Sequence, residues 1–214
     1  MDGDALCEAL VEAAAPFPLE PIRPESGDLR QAALYGALTG DVSGDAYALA
    51  LEFVYEGYLL HYRQSRVAAA GAPLETRLLA GDHFDARGLH EVARRGDVDA
   101  AELLTRLMSA CSWLRSEGLP SAWDDDLWTL TVAGIASLQS GGNAVGALNA
   151  FDEVERLISR DRAARIPETV RRVACALPLR DRLPLRIALG LDAPLPDATA
   201  GDEHDPAGDR SAAT

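Results

Sequence analysis

The fold is decided by residues 98 to 117, whose sequence is VDAAELLTRLMSACSWLRSE. Large apolar side chains recur there every three or four positions, at Leu103, Leu107, Cys111 and Leu114. An α-helix has about 3.6 residues per turn, so this spacing places the four side chains on one face. The stretch therefore predicts an amphipathic helix with one face turned toward a core.

The same period continues through most of the chain. Further apolar stripes run from Leu127 to Leu138 and from Leu148 to Ile158. Runs of Val, Ile and Thr bounded by turn residues are absent, so we expect no β-strands and an all-α fold. The predicted helices cover residues 4–14, 28–39, 44–69, 74–95, 98–117, 124–139, 144–161, 167–176 and 179–189.

Composition divides the chain into a domain and a tail. We predict one all-α helical domain over residues 1–191, with Asp97 and Asp124 as helix N-caps. Residues 192–214 are acidic, contain Pro and Gly, and lack aromatic side chains. Such a segment buries too little apolar surface to offset the entropy of ordering, so it predicts a disordered tail.

The chain is strongly acidic. It has 34 Asp and Glu residues against 20 basic residues, all of them Arg, and a formal net charge of −14. This charge repels phosphate backbones, so nucleic acid is not an expected partner. Two explanations for the absence of Lys stay open: a GC-rich genome, and a salt-rich cytoplasm that favours halophilic, acidic surfaces.

The sequence also bears on location. It contains no apolar run of about 18 residues, so no membrane span is predicted. The acidic start, Met1 to Asp4, lacks the basic-then-apolar order of a secretory signal. We therefore expect the protein to remain in the cytoplasm.

The residue types that hold metals form no close set. The three cysteines lie far apart, which argues against a disulfide framework and a zinc site. His83 and His90 could share one face of a helix, with Asp82 and Asp85 nearby, but a metal site needs a tighter set. The adjacent aspartates at 124–126 lie at the start of a predicted helix, where negative charge interacts favourably with the helix dipole. The alternative is a cation site that is completed by ligands from distant parts of the chain. We predict no catalytic residue, no metal and no cofactor.

The segment from Glu52 to Phe84 indicates a protein family more specifically than the overall composition does. It contains Leu59-Leu60-His61-Tyr62-Arg63, then Arg66, Gly71-Ala72-Pro73 and Leu79-Ala80-Gly81-Asp82. In this order the segment resembles the trans-polyprenyl diphosphate synthases. Their motifs are Leu-Leu-His-Asp-Asp-x-x-Asp, Arg-Arg-Gly-x-Pro and Leu-Ala-Gly-Asp followed by an aromatic residue. The resemblance covers about residues 30–115 and implies a shortened helical bundle of the isoprenoid-synthase type.

The departures from these motifs are as informative as the matches. Tyr62, Arg63 and Arg66 occupy the positions of the three aspartates that hold magnesium in the family. In the counterpart of the second motif, Glu155 keeps a carboxylate, while Arg156 and Ser159 replace aspartates. Arginine cannot serve as a ligand for a hard cation. These degenerate motif positions, together with His61, are the candidate site residues.

The resemblance thus implies a non-catalytic, synthase-like protein. The family includes two-component synthases whose small subunit lacks the aspartate motifs and assists a catalytic partner. The expected partner is a catalytic polyprenyl diphosphate synthase or a second copy, with Arg106 and Trp113 as possible interface residues. Trp113 is equally explained as core packing.

The alternative is an α-helical interaction module unrelated to isoprenoid synthesis. On that hypothesis residues 79–82 form an ordinary helix junction, with Gly81 ending one helix and Asp82 capping the next.

Overall fold

The computed structural model describes residues 2–40, 46–160, 162–179 and 183–190, and within them it confirms the all-α fold. The predicted tail, residues 192–214, lies outside the described residues. The helices are α1 (Gly3–Ala14), α2 (Arg30–Thr39), α3 (Ala46–Tyr62), α4 (Leu74–Arg94), α5 (Val98–Ser116), α6 (Ala122–Gln139), α7 (Val145–Ser159), α8 (Ile166–Ala174) and α9 (Leu183–Ala188). None of these helices combines the length and the apolar character needed to span a bilayer.

Two helices form the centre of the bundle. Every residue of α3 from Ala50 to Leu60 is buried, and so is every residue of α6 from Asp126 to Ser137. A helix that is apolar on all sides must be covered on all sides. Helices α1, α2, α4 and α5 pack around α3, while α2, α5, α7, α8 and α9 pack around α6. The predicted stripe of α5 faces the core, and Leu103, Leu107 and Leu114 are fully buried.

Glycines bring α3 and α4 into close contact. A methyl group at Gly57 would lie 2.2 Å from Asp85 Oδ1, and one at Gly88 would lie 2.8 Å from the Ala50 carbonyl oxygen. Gly81 lies in the middle of α4, where a methyl group would meet the ring of His61 at 2.5 Å. The interpretation of residues 79–82 as a helix junction is therefore wrong.

The helix boundaries agree with the predictions except at a few ends. Asp97 caps α5 as predicted, accepting a hydrogen bond from the Ala100 amide at 3.0 Å. Asp124 is not an N-cap, because α6 begins earlier, at Ala122. The predicted helix 44–69 ends at residue 62, where the Arg77 side chain donates to the carbonyl oxygens of residues 60 and 63. The last helix begins at residue 183 and not at 179.

Candidate functional site

Arg66 lies in a buried ion-pair cluster, which we call the Arg66 cluster: Arg66, Glu52 and Glu56. The guanidinium donates to Glu52 at 2.6 Å and to Glu56 at 2.8 Å. Both glutamates are fully buried, and the Arg66 side chain is 11% exposed. Burial raises the pKa of Glu52, although the guanidinium opposes that rise. Burial alone would lower the pKa of Arg66, but the two carboxylates outweigh it and raise the value.

Arg63 is held by a second acidic group, at the start of α6. Its Nε donates to the Tyr58 hydroxyl at 2.8 Å, and its Nη2 donates to the Ser121 carbonyl at 2.8 Å. The same Nη2 lies 3.4 Å from Asp125 and 4.0 Å from Asp124. Both arginines at the degenerate positions of the first motif are therefore engaged by carboxylates of this chain.

The aspartates at positions 124 to 126 serve different neighbours, as expected for adjacent helical positions. Asp124 is fully buried, accepts a hydrogen bond from the Tyr58 hydroxyl and lies 2.9 Å from Arg115 Nε. Asp126 pairs with Arg171 of α8 at 3.2 Å. Burial raises the pKa of Asp124 and of Asp126, while the paired side chains oppose the rise. These carboxylates hold helices together through ion pairs, beyond the dipole effect that their position suggests.

His61 faces α4 and is bracketed by two carboxylates. Its Nε2 lies 3.4 Å from Asp82 and 3.6 Å from Asp85. The close approach of the two helices depends on Gly81, which presents no side chain to the imidazole. The nearby carboxylate of Asp85 raises the pKa of His61 against the opposing effect of burial. Burial in turn raises the pKa of Asp85, and His61 opposes that rise.

A cavity of about 260 Å³ opens beside His61, and we call it the α3–α5 cavity. The exposed hydroxyls of Tyr62 and Ser112 line it and hydrogen-bond to each other at 2.8 Å, which joins α3 to α5. Trp128 lines it from α6, and its buried indole N–H meets no acceptor among the described residues. The lining combines aromatic, acidic and apolar side chains: Tyr58, His61, Tyr62, Asp82, Asp85, Leu107, Met108, Cys111, Ser112 and Trp128.

The second motif segment lines a different site. Glu155 and Ser159 of α7 face Arg106 and Trp113 of α5 across a groove of about 320 Å³, the α5–α7 groove. Helix α5 contributes residues to both the cavity and the groove and separates them. His61 and Glu155 therefore do not share one cavity.

The α5–α7 groove brings together both predicted interface residues. Arg106 pairs with three carboxylates, those of Glu102, Asp152 and Glu155. Trp113 is half-buried and packs against the core, so part of its surface stays available in the groove. The remaining motif residue, Arg156, is exposed and pairs with Glu153 at 2.8 Å along the same helix.

Sequence reasoning did not identify Trp128 and Ser112 as cavity residues. The glycine spacing in α4 is a sequence signal for the helix contact beside this cavity. Gly81 and Gly88 are seven residues apart and so share one face of α4. That spacing indicates a helix packed closely against a partner, and the partner helix is the one that carries His61.

Within the part of the chain that the structure describes, no three His, Cys, Asp or Glu side chains are grouped so as to hold a metal ion. Comparisons of this chain with family models, with curated proteins and with solved structures found no match. The functional argument therefore rests on the residues themselves.

Proposed function

We propose that this chain is a non-catalytic, polyprenyl-synthase-like protein that serves as an accessory or regulatory subunit of an isoprenoid diphosphate synthase. The observation that carries the proposal is the pairing of Arg63 and Arg66 with carboxylates of the chain itself. These are positions where the resembled synthases carry aspartates that hold magnesium against the substrate diphosphate.

The electrostatics of these pairs support a role without magnesium and diphosphate. A guanidinium only donates hydrogen bonds, so it cannot ligate a cation. At Arg66 it forms ion pairs with both Glu52 and Glu56. The degenerate second motif, around Glu155, lies on the other side of α5 and cannot complete a site at His61. A role through contact with another protein fits this arrangement better than turnover by the chain alone.

The α5–α7 groove is the surface that best suits a protein partner. Its floor is apolar, with Phe151 and Val154 buried beneath the half-buried Trp113. At its edge, Arg106 is outnumbered by its three carboxylate partners, so the groove keeps an excess of negative charge. A complementary partner segment would insert an apolar side chain flanked by Arg or Lys.

The same charge bears on which partner is favoured. A two-fold symmetric dimer through this groove would place the same acidic edge of both copies together. Like charges across an interface oppose association. The groove therefore favours a different protein over a second copy of this chain.

Size-exclusion chromatography at native salt tests the proposal. The full chain is mixed in turn with each polyprenyl diphosphate synthase of the same cell, and product lengths are measured with and without it. We expect one synthase to co-elute with the chain. Ser109→Arg should abolish the complex, because Ser109 is exposed and lines the groove, where an added guanidinium repels the Arg or Lys of the partner. Ser116→Arg, at an exposed serine of the same helix outside the groove lining, is the matched control and should leave the complex intact.

Turnover by the isolated chain is the second test. Purified protein with magnesium, isopentenyl diphosphate and an allylic diphosphate should give no product. Product formation that is lost in Glu155→Ala would overturn the proposal.

The alternative function is a general helical interaction module, favoured by the groove alone. It becomes the better explanation if no synthase co-elutes and no product length changes.

A further inference from the structure

The α3–α5 cavity is a feature that the accessory role does not use. Trp128 forms part of its wall and is 2% exposed. Its indole nitrogen has almost no accessible surface, and the ring meets the Tyr55 ring edge-on, with centroids 5.0 Å apart. Trp128 therefore contributes aromatic surface to the cavity and no donor for a ligand.

The charge of the cavity favours a positively charged ligand. Asp82 and Asp85 contribute two carboxylates against the single imidazole of His61, so acidic side chains outnumber basic ones in the lining. The nearby guanidinium groups of Arg63 and Arg115 pair with the two carboxylates of Asp124 and Asp125. Anionic ligands, diphosphates included, are disfavoured for the same reason.

The remaining walls favour an organic cation over a metal ion. Tyr62 provides an aromatic ring, whose face attracts cations, whereas the Tyr58 ring already has the Arg63 guanidinium over it. Leu107 and Met108 add apolar surface, which suits carbon atoms and not a hydrated ion. The volume, about 260 Å³, lies just below the range of about 300–1,000 Å³ for drug-sized ligands and indicates a small molecule.

We infer that the α3–α5 cavity binds a small organic cation. Its positive charge lies against the Tyr62 ring and is balanced by Asp82 and Asp85. This site is separate from the α5–α7 groove, so the inference does not rest on the proposed partner.

Isothermal titration calorimetry of the full chain tests the inference with choline as the probe. Choline combines a quaternary ammonium with a hydroxyl oxygen. The control ligand is 3,3-dimethylbutan-1-ol, which has nearly the same shape and no charge. We expect choline to bind about tenfold more tightly than the neutral alcohol, because only choline gains cation–π and carboxylate attraction. Absence of choline binding up to about 10 mM, or equal binding of both ligands, overturns the inference.

Variants locate the binding within the cavity. Asp82→Asn removes an exposed carboxylate at little risk to folding and should weaken choline binding about threefold or more. Glu91→Gln makes the same change of charge as Asp82→Asn on α4, away from the cavity lining, and should bind like the native chain. Choline affinity that is unchanged in Asp82→Asn contradicts the assignment.

Discussion

Replacing Arg66 by Met should cause one of the largest losses of stability available in this chain. Methionine keeps most of the aliphatic length, so little volume is lost, while the fully buried Glu52 and Glu56 lose their counter-ion. Removing one partner of a buried ion pair costs about 3–5 kcal/mol. Two carboxylates are left here, and the Asp28 carbonyl also loses a donor. We expect the free energy of unfolding, measured in urea, to fall by at least about 4 kcal/mol at neutral pH.

An exposed pair in the same chain is the control. Arg23 pairs with Glu8 at 3.3 Å, but the two side chains are 64% and 70% exposed. Exposed pairs contribute about 0–1 kcal/mol, so Arg23→Met should barely change the urea midpoint.

Acidification separates an electrostatic loss from a packing loss. In Arg66→Met the buried carboxyl of Glu52 has a folded-state pKa above its unfolded value, since burial raises the pKa and the opposing guanidinium is gone. The destabilisation caused by its charged form is present above the folded pKa and is relieved as the pH falls through it. The variant's deficit should therefore be smaller near pH 5 than near pH 8, and adding Glu52→Gln and Glu56→Gln should restore part of the stability. A deficit below about 1 kcal/mol, or one that does not shrink on acidification, would refute the reasoning.

Four further measurements follow from the packing, the histidine and the charge. Gly88→Ala should cost about 1–3 kcal/mol in urea because its methyl group meets α3, whereas Gly27→Ala, with open space around it, should be nearly neutral. Leu107→Ala should cost about 2–5 kcal/mol, since Leu107 is fully buried; a smaller loss would mean that the site collapses around the cavity. The carboxylate of Asp85 raises the folded-state pKa of His61, so the pair stabilises fully below the unfolded value of about 6.5 and loses this contribution as the pH rises through the folded value. Thermal melts of His61→Gln should therefore show a larger deficit near pH 6 than near pH 9, and an equal deficit at both would contradict the pairing. The melting temperature of the native chain should rise from dilute buffer to molar salt, because salt screens a net charge of −14; a flat or falling series removes the halophilic explanation.

The helices could be predicted because their signals are local. Apolar periodicity placed α5 within a residue of its observed ends, and glycines such as Gly96 and Gly118 mark the positive-φ turns that follow α4 and α5. The end of α3 could not be predicted in the same way, since no breaker residue stands near Tyr62. The helix ends where the Arg77 side chain of α4 donates hydrogen bonds to the carbonyl oxygens of residues 60 and 63. That contact forms only in the tertiary structure, so local sequence does not reveal it.

The candidate site shows the same division between local and tertiary information. His61 was singled out from its motif, but Asp82 and Asp85 were associated with His83, their neighbour in sequence. The structure pairs both aspartates with His61, because helix packing brings them across from α4. His83 instead packs edge-on against Phe17. Spacing along one helix indicates which residues share a face and gives no information about the helix that they meet.

The Arg66 cluster also bears on why the chain contains no Lys. On the surface a basic residue can be Arg or Lys with little consequence, so genome composition is a sufficient explanation there. Arg66 is different, because separate nitrogens of one planar group reach Glu52, Glu56 and the Asp28 carbonyl. A lysine ammonium is a compact point charge and does not reproduce that fork. At this position the geometry itself requires arginine.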